Sequence, residues 1–173
     1  MTHVGSVDQI LRVDHAGEHG AISIYRGQLL IARHFHPQCV SALATMLSHE
    51  RAHFSRFDAI LKARNIRHCY ALGFWALGGW VLGIVTALMG QRAIWACTAA
   101  IESTVNLHLE QQVAFLGKSD PEVLAAVQSI RADEEAHESH AWSNGGGAGG
   151  IYWAIRSLTV GATSFAIWLS TQL

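Results

Sequence analysis

A glutamate inside an apolar helical stretch, followed later by Glu-x-x-His, occurs twice in this 173-residue chain, in one register. Glu18 in "RVDHAGEHGAIS" precedes Glu50 and His53 in "LSHERAHF"; Glu102 in "CTAAIESTVNL" precedes Glu134 and His137 in "ADEEAHESH". Glu18 and Glu102, Glu50 and Glu134, and His53 and His137 each stand 84 residues apart. A lone Glu-x-x-His pair is more often a solvated helix face, and a lone Glu18 a surface charge. Matched offsets argue instead for an internal duplication, with pseudo-repeats at about 8–90 and 92–173 inside a single domain spanning 1–173.

The pattern has a definite physical reading. Residues i and i+3 share a helix face, so each Glu-x-x-His pair can serve one metal ion. Four helices turning Glu18, Glu50, His53, Glu102, Glu134 and His137 inward reproduce the dinuclear carboxylate site of a ferritin-like four-helix bundle. Four carboxylates balance two divalent cations, and without metal they repel one another and take up protons. Oxygen-rich ligands suit iron or manganese better than copper or zinc. Glu135, Glu138, Glu110 and Asp58 are expected to face solvent. His49, His15, His19 and His140 are expected around the ligands or at the surface, with Asp14 and His15 as hydrogen-bond partners of ligating groups.

Apolar residues recur at helical spacing and period-two alternation is nearly absent, which predicts an all-α protein. Helices are expected near 8–34, 37–64, 92–117 and 121–142. The two prolines, Pro37 and Pro121, stand where helices begin, with Asp120 as the N-cap of the fourth. Two further segments differ in kind. Residues 71–90 carry no charge and five glycines; residues 151–170 carry only Arg156. The first has the length and apolarity of a bilayer span. A span there, however, would put the two half-sites on opposite sides of the membrane, so both segments are read as helices lying at the membrane interface. Between the fourth of these helices and the last apolar segment, "SNGGGAGG" at 143–150 reads as a flexible joint. Its Gly145, Gly147 and Gly150 satisfy GxGxxG, but after a helix, where that spacing does not signify a dinucleotide site.

Composition removes other classes. Charged residues make up 14% and the net charge is −1, so nucleic-acid binding lacks electrostatic support. Three cysteines without close spacing read as buried apolar residues of a reducing compartment. The N-terminal stretch reads as neither a secretory signal nor a transit peptide.

"RVDHAGEHGA" with "IYRGQL", then "HERAHF", "ACTAAIES", "RADEEAH" and "IWLSTQL" in that order, resemble the demethoxyubiquinol hydroxylase family from about Gln9 to Leu173. The resemblance implies a di-iron monooxygenase of ubiquinone biosynthesis, with two iron ions on the six residues above. It implies O2 and a polyprenylated quinol as substrates, an external electron donor, a lipid-binding accessory protein and peripheral, monotopic attachment. The membrane would be the cell inner membrane at its cytoplasmic face, or the mitochondrial inner membrane at its matrix face for a mature eukaryotic chain. A homo-oligomer is compatible with it. Relatives often carry a tyrosine after the histidine matching His108, where this chain has Leu109. Tyr25, seven residues after Glu18 on the same helix face, is a candidate substitute, and Tyr25 and His108 are expected near the ligands or on the electron path. The competing readings are a ferritin-like iron oxidase, a di-iron hydroxylase of another lipid, and a metal-free membrane scaffold.

Overall fold

The fold, taken from a computed structural model, is described for residues 5–117 and 119–173. Met1–Val4, which open the stretch discussed above for targeting signals, lie outside the described residues. The chain is all-α and ferritin-like, with six α-helices among the described residues: α1 (Val7–Phe35), α2 (Pro37–Ala63), α3 (Leu72–Leu88), α4 (Gln91–Leu116), α5 (Pro121–Ala141) and α6 (Ile151–Gln172). The four polar-cored helices fall within a residue or so of their expected bounds.

Local chemistry sets the ends. Ser6 Oγ accepts the Gln9 N–H at 3.2 Å and opens α1. Asp120 Oδ1 accepts the Val123 N–H at 3.1 Å and opens α5 behind Pro121. His36 breaks the helical path with φ −138° and ψ 58°, and Pro37 restarts it as α2. Arg64, at the end of α2, ion-pairs with Asp120 and Glu122, fastening α2 to the start of α5.

Two apolar clusters sit at opposite ends of the bundle. One gathers Tyr25, Leu29, Leu43, Met46, Ile94 and Trp95; the other Leu11, Phe57, Leu109, Leu116, Val127 and Ile130. On every one of α1, α2, α4 and α5 the metal-type residues fall in sequence between the positions that feed these two clusters. The polar cluster is therefore held at mid-bundle by apolar packing above and below it.

Two glycines of α3, Gly79 and Gly83, have a packing role. A Cβ at Gly83 would lie 2.2 Å from the Ile24 carbonyl oxygen of α1, and one at Gly27 2.4 Å from the Trp80 carbonyl oxygen. The backbones of α1 and α3 thus touch, which only glycine permits. Gly90, at φ 108°, then turns the chain into α4. Helix α3 has 17 residues, fewer than the apolar stretch suggested, and among the described residues no helix is long and apolar enough to cross a membrane.

The glycine-rich segment is more constrained than a flexible joint. Trp142–Gly146 continues α5 as a wide turn that kinks at Gly145, which sits at φ 108°. A Cβ on Gly146 would meet the Trp95 carbonyl oxygen and the Ala99 Cβ, each at 2.9 Å. Arg156 of α6 donates to the Gly146 and Ala148 carbonyls at 2.6 and 2.7 Å, with its guanidinium 5.7 Å from the Trp142 ring. The single charge in the last apolar segment is a cross-tie, so the glycines do not detach α6. All three cysteines are free and buried.

Candidate metal centre

Helices α1, α2, α4 and α5 bring all six expected residues together. Ligand atoms of Glu18, Glu50, His53 and Glu134 lie within 4.8 Å of one another, as do those of Glu50, Glu102, Glu134 and His137. Glu50 and Glu134 belong to both groups, so two cations held side by side would share them. None of the six is more than 6% exposed.

The contacts inside the cluster lack hydrogen-bond alignment. His53 Nδ1 is 3.0 Å from Glu134 Oε1 and 3.6 Å from Glu18 Oε2; His137 Nδ1 is 3.3 Å from Glu50 Oε1 and 3.7 Å from Glu134 Oε2. Yet both Nδ1 atoms, Glu18 Oε2, Glu50 Oε1 and Glu134 Oε1 are buried without a hydrogen-bond partner. Native interiors seldom leave such atoms unpaired. The opposite ring nitrogens are engaged instead: His53 Nε2 lies 3.1 Å from Asp133 Oδ2, and His137 Nε2 lies 3.1 Å from His49 Nδ1. A proton on each Nε2 leaves the Nδ1 lone pair directed at its carboxylate neighbours, as a metal-ligating histidine requires. The donor set fits two oxygen-preferring divalent cations.

Burial first, and the charge of Glu134 second, raise the carboxyls of Glu18, Glu50 and Glu102 well above the usual range. Glu134 goes the other way: burial alone would raise it, but the His137 and His53 rings close beside it hold it far below. Burial works against the charged form of His137, and Glu134 and Glu50 override it, lifting the ring to about 9. His53 is raised in the same manner by Glu134. Metal-free, the cluster keeps protons that cations would displace.

Among the surrounding residues, Tyr25 donates its hydroxyl to Glu102 from within the core. Asp133 and His49 back the two histidines, and Asp133 went unnoticed in the sequence. A signal for it existed, since Asp133 and His49 immediately precede Glu134 and Glu50 and stand 84 residues apart. Asp14 and His15 do not reach the ligating groups. Asp14 accepts from Gln112 Nε2 at 2.5 Å. His15 stacks on Phe54 at 4.3 Å beside Asp58 at 3.6 Å, and burial pulls its pKa down to about 4. Two carboxylates expected in solvent are half-buried. Asp58 faces His15 and Lys62, while Glu138 accepts from Ser103, Asn106 and Trp142 at 2.5, 2.7 and 3.2 Å, joining α5 to α4. Glu110 and Glu135 are exposed as expected.

Above the cluster lies a cavity of about 420 Å³ walled by α1, α3, α4 and α6. Glu18, Glu50, Glu102 and Glu134 form its polar floor, and Ile24, Phe74, Trp75, Leu82 and Phe165 contribute to its apolar walls. Trp75 is fixed by its Nε1 donating to Ser170 Oγ at 3.1 Å. His108 and Leu109 also line the cavity; burial lowers the His108 pKa to about 4, keeping the ring neutral, and its Nε2 has no partner. Tyr25 is not part of this wall.

Residues 5–170 match the profile of the family described as "Ubiquinone biosynthesis protein COQ7". The chain belongs to this family. Among its relatives is the 3-demethoxyubiquinol 3-hydroxylase of Rhodospirillum rubrum, 33% identical over 167 residues, covering 96% of this chain and 78% of that protein. Another is the mitochondrial NADPH-dependent 3-demethoxyubiquinone 3-hydroxylase of Bos taurus, 30% identical over 172 residues, covering 97% of this chain and 78% of that protein. The mitochondrial 5-demethoxyubiquinone hydroxylase of Saccharomyces cerevisiae is 30% identical over 146 residues, covering 76% and 63%. Membership in this family of ubiquinone biosynthesis proteins agrees with the resemblance drawn from the sequence.

Proposed function

We propose that this protein hydroxylates the ring of a polyprenylated demethoxyubiquinol, inserting one oxygen atom of O2. The other atom leaves as water, using two protons and two electrons from an external donor. One observation carries the reading: the apolar cavity ends on the carboxylates of the Glu/His cluster. A greasy ring can enter such a space, and at its floor it meets the carboxylates suited to metal.

Glu18, Glu50, His53, Glu102, Glu134 and His137 would hold two iron ions, which when bound supply O2 activation. The protein's own contribution is positional. Asp133 and His49 fix the rings of His53 and His137 through Nε2, leaving Nδ1 for coordination. Tyr25 holds one oxygen of Glu102 and limits its rotation. The apolar walls exclude bulk water from the reacting ring.

The surface suits a lipid substrate. Phe74, Leu77 and Leu88 of α3 and Trp153, Leu158 and Phe165 of α6 are exposed large apolar side chains. Contiguous exposed apolar surface marks a membrane or protein contact. These helices would lie in the interface and admit the ring from the bilayer while its tail stays in lipid. The proposal thus includes peripheral attachment to an inner membrane, with the same face available to a lipid-binding accessory protein or a second copy.

The test is metal content, then anaerobic reduction and oxygen exposure with a demethoxyubiquinol. Two irons per chain and a product heavier by one oxygen atom are expected. Two irons that oxidise without an oxygenated product would replace this reading with an iron oxidase, and a chain that takes up no metal would end it.

A further inference from the structure

The bundle has two open sides. Helix α1 packs along α2, and α4 along α5, while α1 meets α4 and α2 meets α5 only sparsely. Helices α3 and α6 cover the first gap and enclose the apolar cavity. Among the described residues no further helix packs over the second. Apolar packing closes the bundle above and below the cluster. Two approaches to the Glu/His cluster remain, one through the cavity and one across the seam between α2 and α5.

The seam is polar where the cavity is greasy. His49 of α2 and Asp133 of α5 have side chains 37% and 42% exposed, and His49 Nδ1 lies 3.5 Å from Asp133 Oδ1. Each also touches a buried ring of the cluster. Asp133 Oδ2 is 3.1 Å from His53 Nε2, and His49 Nδ1 is 3.1 Å from His137 Nε2. The opposite nitrogens of those two rings face Glu134 and Glu50 at 3.0 and 3.3 Å. One layer of imidazole therefore stands between the exposed pair and the carboxylates. Beside it, Arg56 of α2 donates to Ser129 Oγ of α5 at 2.6 Å across the same seam. Three residues from His53 and four from Asp133, this contact puts a positive charge about 5–6 Å along the bundle from the exposed pair.

A hydrated divalent cation pays heavily to enter an apolar cavity, whereas a carboxylate beside an imidazole offers it ligands at once. Resting on the metal-centre reading above, we propose that the α2–α5 seam is the loading route of the centre. Asp133 and His49 take a divalent cation from water as transient ligands, and the cation then passes the His53 and His137 rings to the glutamates behind them. Its arrival loosens the barrier, because a cation bound by Asp133 and His49 competes for the atoms that hold the two rings in place. Arg56 opposes the approach by its charge. Metal and substrate then reach the centre from different sides, the metal across the seam and the ring through the cavity.

The experiment is anaerobic stopped-flow mixing of the metal-free full chain with Co2+, followed by tryptophan quenching and by the absorbance of the bound ion. Association rates come from the concentration dependence and dissociation rates from a chelator chase. Arg56→Glu leaves every metal-type residue and its partners in place and reverses the charge at the seam. It is expected to speed association about fivefold at low ionic strength, a gain that shrinks below about twofold near 0.5 M salt. Arg26→Glu makes the same charge change at an exposed position of α1, off the seam, and is expected within about twofold of the wild type. Asp133→Asn keeps an acceptor for His53 and is expected to slow association about fivefold. Equal acceleration by Arg56→Glu and Arg26→Glu overturns the route. So does an Asp133→Asn protein that associates at the wild-type rate and merely dissociates faster, since that is the signature of ring support alone. A wild type that binds no Co2+ overturns the metal-centre reading and the route with it.

Discussion

Asp133→Ala separates a carboxylate that orients a ligand from one that merely decorates the surface. Asp133 Oδ2 lies 3.1 Å from His53 Nε2, and the Asp133 side chain is 42% exposed. A hydrogen bond to a charged acceptor contributes roughly 1.5–3 kcal/mol when shielded from water. With nearly half of the aspartate in solvent, screening reduces this to about 1–2 kcal/mol. That corresponds to about 5–30-fold in metal affinity, at the lower part of the range found for groups that support metal ligands. The assay is competition for Mn2+ or anaerobic Fe2+ against a chelator of known affinity. Asp133→Asn, which keeps an acceptor but loses the charge, is expected in between. Glu135→Gln, exposed and paired with Arg131 at 2.9 Å, is expected within about twofold of the wild type on the same screening argument. Equal affinities for the wild type and Asp133→Ala would show that Asp133 does not set the His53 tautomer.

Two further outcomes concern stability. His15 resists protonation in the folded state, with its pKa lowered from 6.5 to about 4 by burial. Its contribution is full above about pH 6.5 and is lost as pH falls toward 4, so urea unfolding at pH 7.5 and 5.5 should show wild type losing roughly 1 kcal/mol relative to His15→Phe; parallel curves would refute the assignment. Gly83→Ala gains about 1 kcal/mol of helix propensity, but its Cβ would sit 2.2 Å from the Ile24 carbonyl oxygen. Separating α1 from α3 costs about 1–3 kcal/mol, so Tm is expected to fall, whereas Gly78→Ala, with nothing within 4 Å of its Cβ, should raise it. The reverse order would mean that the α1–α3 contact yields without cost.

The six metal-type residues and the four bundle helices were legible because chemistry and periodicity both point inward at matched positions. Asp120 and Pro121 likewise announce their helix start locally. What escaped depends on which face of a neighbouring helix a residue meets. Glu138 looks like another charge on a wet face, and only the approach of α4 turns it toward Ser103 and Asn106. Asp14 and His15 sit beside one another in "RVDHAG", yet adjacent helical residues face different directions. Asp14 turns to Gln112 and His15 to Phe54. The glycines of α3 signal a weak helix in isolation; the meaning of Gly79 and Gly83 appears only with α1 against them. Arg156 reads as a flaw in an apolar segment until the carbonyls of the glycine-rich turn are found around its guanidinium.

The 84-residue offset reaches beyond the six metal-type residues, and it gives Leu109 a physical meaning. His49 and Asp133, Gln28 and Gln112, and Tyr25 and Leu109 are all related by it. His49 supports His137 and Asp133 supports His53, so in this pair each position serves the histidine of the other half. Tyr25 does the same for a glutamate, donating to Glu102. By that relation a tyrosine at 109 would direct its hydroxyl to Glu18, whose Oε2 is buried and unpartnered. Leu109 and Glu18 both line the cavity, and Leu109 is 2% exposed. Comparing Leu109→Tyr with Leu109→Phe isolates the hydroxyl, since both add a ring of the same shape. If the hydroxyl reaches Glu18, the tyrosine variant should be the more stable in urea by about 0.5–1.5 kcal/mol. If it is buried without a partner, the sign reverses and the tyrosine variant is weaker by about 1–3 kcal/mol. A weaker tyrosine variant would show that the support of Glu102 by Tyr25 has no counterpart at Glu18, and that the two halves of the site are held by different means.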